Sequence, residues 1–208
     1  MIRWLIDALF PRFCVRCKAE GATICRTCDE AVTFSPVPGD VPQQAPLDGL
    51  LCAGPYVDPT LRRLIGAWKF GGDGQGREAV MKQVRAALET ASELPVDAVA
   101  WVPLHEKRLR SRGFDQAREV AEEAARALCV PCVPLLSRSV HTRPRSLVGR
   151  ADRKAGDLDG IFEAAGAMPA RVLLCDDVFT SGATMGAAAH ALKAAGAREV
   201  RGFAVARG

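Results

Sequence analysis

Apolar positions along the chain recur in two periods, and the alternation between them predicts the architecture. Ala117, Val120, Ala121, Ala124, Ala125 and Leu128 follow i, i+3, i+4, i+7, i+8, i+11 spacing, which lays one apolar stripe along a helix. Val80, Val84, Leu88 and Ala91 repeat in the same way and predict a second amphipathic helix from Arg77 to Ala91. Asp58 as N-cap and Pro59 as first helical residue open another, running to about Lys69. Ala183 to Ala195 forms a last helix, stopped by Gly196. Between these lie runs with no helical period. Leu50 to Tyr56 reads as an edge strand and Val96 to Leu104 as a mostly apolar strand ended by Pro103. Cys132 to Leu136, Ile161 to Ala164, Arg171 to Val178 and Val200 to Ala206 complete the strands. Strands alternating with helices over residues 96–206 imply an α/β fold with a parallel sheet.

The amino-terminal part has a different texture. Met1 to Pro11 predicts a short amphipathic helix, with Trp4, Leu5, Ala8 and Leu9 on one face and Asp7 interrupting it, rather than a signal peptide. Thr33 to Leu47 holds Pro36, Pro38, Pro42 and Pro46 among few large apolar residues and reads as a linker. The expected division is residues 1–49 for helix, cysteine module and linker, and residues 50–208 for the α/β domain.

Composition excludes whole classes. With 208 residues, 49% hydrophobic and 25% charged, the chain is neither collagen-like nor wholly disordered. No apolar run nears the roughly 18 residues of a membrane span, so the expectation is a cytoplasmic protein without one. The net charge of +4 is mild, but it is unevenly placed. Lys107, Arg108, Arg110, Arg112 and Arg118 crowd one stretch, and Arg138, Arg143, Arg145, Arg150, Arg153 and Lys154 another, leaving the remainder net acidic. Basic charge gathered in two loop-like segments suits an anionic ligand, polyphosphate or nucleic acid, as well as it suits two solvated faces.

Four of the eight cysteines form two C-x2-C pairs, Cys14 and Cys17, then Cys25 and Cys28. In a reducing compartment disulfides are disfavoured, and two such turns present four thiolates to one tetrahedral Zn²⁺ at ~2.3 Å. Four cysteine ligands leave no open position, which makes the site structural. Cys52, Cys129, Cys132 and Cys175 are scattered among apolar neighbours. Cys129 and Cys132 are also two residues apart, but they lie where a helix hands over to a strand and read as packed thiols.

The segment Val172 to Thr184, VLLCDDVFTSGAT, carries the chemistry. Its apolar run places a buried strand, and Asp176 and Asp177 emerge at the carboxyl end, where open α/β sheets bind ligands. Thr180, Ser181, Gly182, Ala183 and Thr184 then turn into a helix whose first backbone N–H groups and hydroxyls suit a phosphate dianion. Gly182 is expected to let the backbone approach that phosphate. Two carboxylates set off from it suit sugar hydroxyls, so the implied ligand is a ribose 5-phosphate. No nucleophile or dedicated base stands out; His105, His141 and His190 read as solvated or packed, His105 the least so.

This thirteen-residue pattern resembles the phosphoribosyl-pyrophosphate (PRPP) motif of type I phosphoribosyltransferases. Val102-Pro-Leu-His105, Arg108 and Arg112-Gly-Phe-Asp-Gln116 resemble the VPL…R…RGFNQ segment of the ComF family, competence-associated phosphoribosyltransferase-like proteins. Phe10 to Cys17 and Lys69-Phe70 resemble further segments of that family. Asp115 and Asp157 stand where the family usually has Asn, and only Cys52 remains where many relatives carry further cysteine pairs, which implies one zinc. The resemblance implies a type I phosphoribosyltransferase-like sheet preceded by a zinc-ribbon-like module. It implies PRPP with Mg²⁺, ribose held by Asp176 and Asp177, and 5′-phosphate by Thr180 to Thr184. It further implies a pyrophosphate loop at Pro103 to Asp115 with His105, Arg108 and Arg112, and a mobile loop at Arg138 to Gly160 with Arg143, Arg145 and Lys154. Three uses stay open: transfer to an unknown acceptor, an accessory of DNA uptake with single-stranded DNA or competence proteins as partners, and a nucleotide-sensing regulator. The oligomeric state is also open, a homodimer included.

Overall fold

A computed structural model of the protein describes residues 11–42, 45–71, 73–91, 95–138 and 160–208. The expected amino-terminal helix and the loop residues His141, Arg143, Arg145, Lys154 and Asp157 lie outside them. The chain runs α1 (Arg26–Ala31), β1 (Val37–Pro38), β2 (Gly49–Pro55), α2 (Pro59–Gly71), α3 (Gly74–Glu89) and β3 (Ala98–Trp101). It continues with α4 (Glu106–Arg112), α5 (Gln116–Leu128), β4 (Leu136–Arg138), β5 (Phe162–Ala164), β6 (Arg171–Phe179), α6 (Ala183–Ala194) and β7 (Glu199–Arg207).

Five strands form one sheet in the order β1-β2-β7-β6-β3, with all but the antiparallel β1 running parallel. The nine residues of β6 lie between β7 and β3, so both faces of the strand must be apolar, which is what its sequence supplies. Leu173 and Cys175 join one core with Trp68, Val84 and Val120, beneath α2, α3 and α5. Val172 and Leu174 join the other with Met185, Ala188 and Leu192 of α6. Helices thus cover both faces. Among the described residues no helix is long and apolar enough to cross a membrane.

The cysteine-bearing segment docks on the first of these layers. Cys14, Ile24, Cys28 and Val32 are buried in the same apolar cluster as Leu61, Leu64 and Trp68. Polar contacts fix the docking. Arg63 donates to the Val15 carbonyl at 2.9 Å, the Thr23 amide donates to Gln75 Oε1 at 2.9 Å, and Lys82 Nζ donates to the Asp29 carbonyl at 2.6 Å.

Several elements differ from expectation for local reasons. The segment β2 is not an edge strand: Val37–Pro38, from the presumed linker, pairs outside it. The helix α3 starts at Gly74 because Asp73 caps it, its Oδ2 accepting from the Gly76 amide at 2.9 Å. The strand β3 is shorter than its apolar run, since Asp97 leaves the ladder to bind the Arg171 amide at 2.9 Å and Pro103 follows. Cys132 only bridges to Val99, and Leu136–Arg138 pairs with Phe162–Ala164 in a separate hairpin. The expected loop from Pro103 to Asp115 contains the helix α4, opened by His105, whose Nδ1 accepts from the Lys107 amide at 3.2 Å, and closed by Gly113 at φ +79°. The predicted starts of α2 and α6 and the Gly196 stop (φ +111°) stand as read.

Asp115 fastens the turn after β3 to α5. Its Oδ1 accepts from the amides of Ala117 (3.1 Å) and Arg118 (3.4 Å), and its Oδ2 from the Leu104 amide at 3.1 Å. Asp115→Ala is expected to lower the unfolding free energy by about 1–2 kcal/mol in urea titration, and Asp115→Asn by less, because the amide keeps one acceptor. A loss under about 0.5 kcal/mol for the alanine variant would remove this role.

Candidate functional site

Cys14 and Cys17 flank a turn in which Lys18 takes a left-handed φ of +66° and its amide donates to the Cys14 carbonyl at 3.0 Å. Cys25 and Cys28 lie at the start of α1. The four sulfurs all fall within 4.8 Å of one another, with Cys17 and Cys25 at 3.6 Å. Tetrahedral metal–sulfur bonds of ~2.3 Å place sulfurs roughly 3.8 Å apart, so the tetrad fits such an ion. Its electrostatics point the same way. Burial pushes the Cys14 thiol up, but the amides of Cys17, Cys25 and Arg16 outweigh it and bring it down to about 6. Burial and the other three thiols push Cys28 up to about 12. Four sulfurs this close suit a shared cation. Cys52 and Cys175 are buried and Cys132 half-buried, whereas Cys129 is exposed, not packed as expected, because it caps α5 with φ +55°.

At the opposite end of α2, the strands β3 and β6 leave the sheet side by side, and their connections part. The chain after β3 passes through α5 on one face; the chain after β6 passes through α6 on the other. The crevice between such strand ends is where open α/β sheets take ligands. Asp176 and Asp177 stand there, half-buried. Asp177 Oδ2 lies 2.6 Å from Lys69 Nζ of α2, with side-chain exposures of only 19% and 15%. Asp176 accepts the Asp177 amide at 2.7 Å. Burial, then the Asp177 charge, push Asp176 up to about 8, with Asp115 adding and Lys69 opposing. Burial raises Asp115 too, and Asp177 adds to it. Lys69 is thus the one paired ammonium among three carboxyl groups, and the Arg138 guanidinium is also favoured by Asp176.

Beyond Phe179 the turn holds Thr180 and Ser181 exposed, then Gly182 and Ala183, and Thr184 exposed, at the amino end of α6. Ser181 Oγ accepts from the Ala183 amide at 3.4 Å. Gly182 is required by its own surroundings: its φ is +75°, and a Cβ would stand 2.8 Å from Phe179 Cζ and 3.1 Å from Pro42 Cγ.

The basic residues converge on the same mouth. A pocket of about 430 Å³ is lined by Lys69 and Phe70, by Lys107, Arg108 and Arg112 of α4, and by Phe114. Arg112 donates to Gln116 Oε1 at 3.0 Å and lies 5.3 Å over the Phe70 ring. Arg138 lies 5.5 Å over Phe162, its guanidinium disfavoured by burial and by Arg108 and favoured by Asp176. His105, by contrast, spends its Nδ1 on capping α4.

No model of a known protein family matches the chain. It is 26% identical over 147 residues, 71% of its length, to the protein named competence protein ComFC of Streptococcus pneumoniae. It is 28% identical over 174 residues, 79% of its length, to competence protein F of Haemophilus influenzae. These similarities support membership of the ComF family. The matched region spans 63% of the pneumococcal relative and 75% of the Haemophilus one.

The sequence left three residues of the candidate site without a role. Lys69 meets Asp177 across 108 residues, a pairing with no periodic signal, although Lys69-Phe70 lies in a segment resembling the family. Phe70 and Arg138 acquire meaning only from what packs beside them.

A carboxyl group raised in the folded state binds more protons than in the unfolded chain, so its contribution to stability is lost as pH rises from the unfolded toward the folded value. For Asp176 that window runs from ~4 to about 8. Without ligand, Asp176→Asn is therefore expected to stabilise the protein more at the top of this window than at the bottom, read by thermal melts across pH. An equal effect at both ends would contradict the buried, charge-crowded setting.

Proposed function

We propose that the chain binds PRPP with Mg²⁺ and transfers its phosphoribosyl group to an acceptor, in a fold of the type I phosphoribosyltransferase kind formed by residues 50–208. The observation that carries this reading is the acid pair at the carboxyl end of β6, followed without a break by a glycine turn and a helix start. On this reading Asp176 and Asp177 accept the ribose hydroxyls. The amides and hydroxyls from Thr180 to Thr184 receive the 5′-phosphate. Arg108, with Arg112 and His105 on the same segment, faces the pyrophosphate, and Arg138 adds a second guanidinium beside Asp176. Arg143, Arg145 and Lys154, outside the described residues, supply further cations to the ligand on this reading.

Mg²⁺ would be held chiefly by pyrophosphate and ribose oxygens, since it retains few protein ligands. Bond breaking at the anomeric carbon passes through an oxocarbenium-like state. The protein's share is to position PRPP, exclude water and stabilise the departing pyrophosphate with fixed cations. The cysteine tetrad holds one structural Zn²⁺, kept reduced by a cytoplasmic setting. The names of the relatives support a competence-related setting, in which the same site serves DNA uptake or binds a nucleotide without turnover.

Calorimetric titration with PRPP and Mg²⁺ is expected to show one site, and joint Asp176→Asn and Asp177→Asn substitution to weaken it by at least about tenfold, the loss of charge-assisted hydrogen bonds. Absence of heat in the wild-type protein would overturn PRPP binding. PRPP binding with no pyrophosphate release under any acceptor would favour the sensing role.

Elemental analysis is expected to give about one zinc per chain, lost together with stability in Cys14→Ser and Cys28→Ser. Near-zero zinc in protein purified without chelator would remove that site.

A further inference from the structure

The proline-bearing segment between the cysteine module and β2 is fastened along its length, and the fastenings lead to the turn after β6. The Gly39 amide donates to the Leu50 carbonyl at 2.9 Å. Arg207 stands beside Phe179 in the ladder between β7 and β6. Its Nη1 donates to the Pro38 carbonyl at 3.3 Å and its Nη2 to Asp40 Oδ2 at 3.2 Å. Pro42 then packs on the turn itself, its Cγ standing 3.1 Å from where a Gly182 Cβ would be. The Ala45 amide turns back to the Pro42 carbonyl at 2.8 Å. The Ala45 side chain covers Gly186, where a Cβ would meet it at 3.2 Å. Leu47 is buried in the same apolar cluster as Met185 of α6.

Gly182 caps α6 and Gly186 lies four residues on, so their missing side chains leave one groove along the start of the helix, filled by Pro42 and Ala45. Phe179 closes on Gly182 from within the strand and turn; Pro42 is the contact that comes from outside them. A left-handed residue at a helix start aims the amides around it only as well as it is held. Proline suits the holding part, because its φ is already fixed and little freedom is lost on ordering it. We infer that this segment is a strap on the phosphate turn, with Pro42 as a positioning residue, so that sugar-phosphate affinity depends on residues that precede the α/β domain.

The inference rests on the function proposed above for the phosphate, and on the contacts alone for the strap. Pro42 has no N–H to offer an anion, so it acts through Gly182. The strap is tied to β2, β7 and α6, whereas Arg108 and Arg112 belong to α4, which follows β3 across β6 from them. A loosened strap therefore weakens the hold on the 5′-phosphate end of a ligand and leaves the pyrophosphate end as it was.

The test compares Pro42→Ala with Pro36→Ala in the full chain, the second removing a proline that precedes β1. Thermal melts verify that both variants fold. The Gly186 amide donates to the Gly182 carbonyl at 2.7 Å and closes the first turn of α6, so its hydrogen exchange reports the turn without ligand. That exchange is expected to quicken at least about threefold in Pro42→Ala and to keep the wild-type rate in Pro36→Ala. In calorimetry, ribose 5-phosphate is expected to bind Pro42→Ala about fivefold to tenfold more weakly, with the affinity for inorganic pyrophosphate unchanged. An unchanged Gly186 rate, an equal change in the two variants, undiminished ribose 5-phosphate binding, or an equal loss for pyrophosphate would overturn the inference. If the wild-type chain binds no ribose 5-phosphate, the PRPP reading falls by itself, and the Gly186 exchange alone then decides for or against the strap.

Discussion

The site depends on one ion pair, Lys69 with Asp177. At 2.6 Å and largely screened from water, it joins the end of α2 to the end of the central strand β6. Without it two adjacent carboxylates near the end of the strand, with Asp115 acting on them, would lose their paired ammonium, and burial would force more of them to take up protons. With it, one carboxylate is neutralised by the protein itself and its neighbour is left poised, its proton affinity raised. The same lysine also forms a wall of the basic pocket. An acidic and a basic site therefore share a single side chain, and neither can be described without the other.

The second constraint is Asp115. The carboxylate uses both oxygens, on three backbone amides, where an amide side chain offers one. It ties the strand end that borders β6 to the start of α5, and so fixes the base from which α4 presents Lys107, Arg108 and Arg112. Its cost is a further negative charge near Asp176, which the Lys69 contact helps to offset.

What the chain reveals in advance follows from how local each feature is. The β6 acids and the cysteine pairs each lie in a contiguous segment, so the strand that carries the acids and the closeness of the four sulfurs were readable from spacing. The helices α2, α3 and α5 bury one face and therefore carry a period. In contrast, α4 buries no residue, so it has no apolar stripe, and its caps, His105 and Gly113, are its only marks. The bridge at Cys132 and the short edge strand at Val37–Pro38 are fixed by partners far along the chain. Gly182 was readable as necessary, while Pro42, which with Phe179 occupies the space a side chain would need there, comes from the packing of a distant segment.

Helix α2 has two attachments that lie apart. Its Arg63 holds the carbonyl of Val15 between the first two cysteines, and its last turn positions Lys69. The buried Cys14 and Cys28 share their apolar surroundings with Trp68, one residue before that lysine. Any ion that binds only the ordered thiol cluster adds its free energy to the folded state by mass action. Part of that energy is delivered to the helix that sets the acid pair. The cysteine cluster and the Lys69–Asp177 contact are thus fastened to one helix.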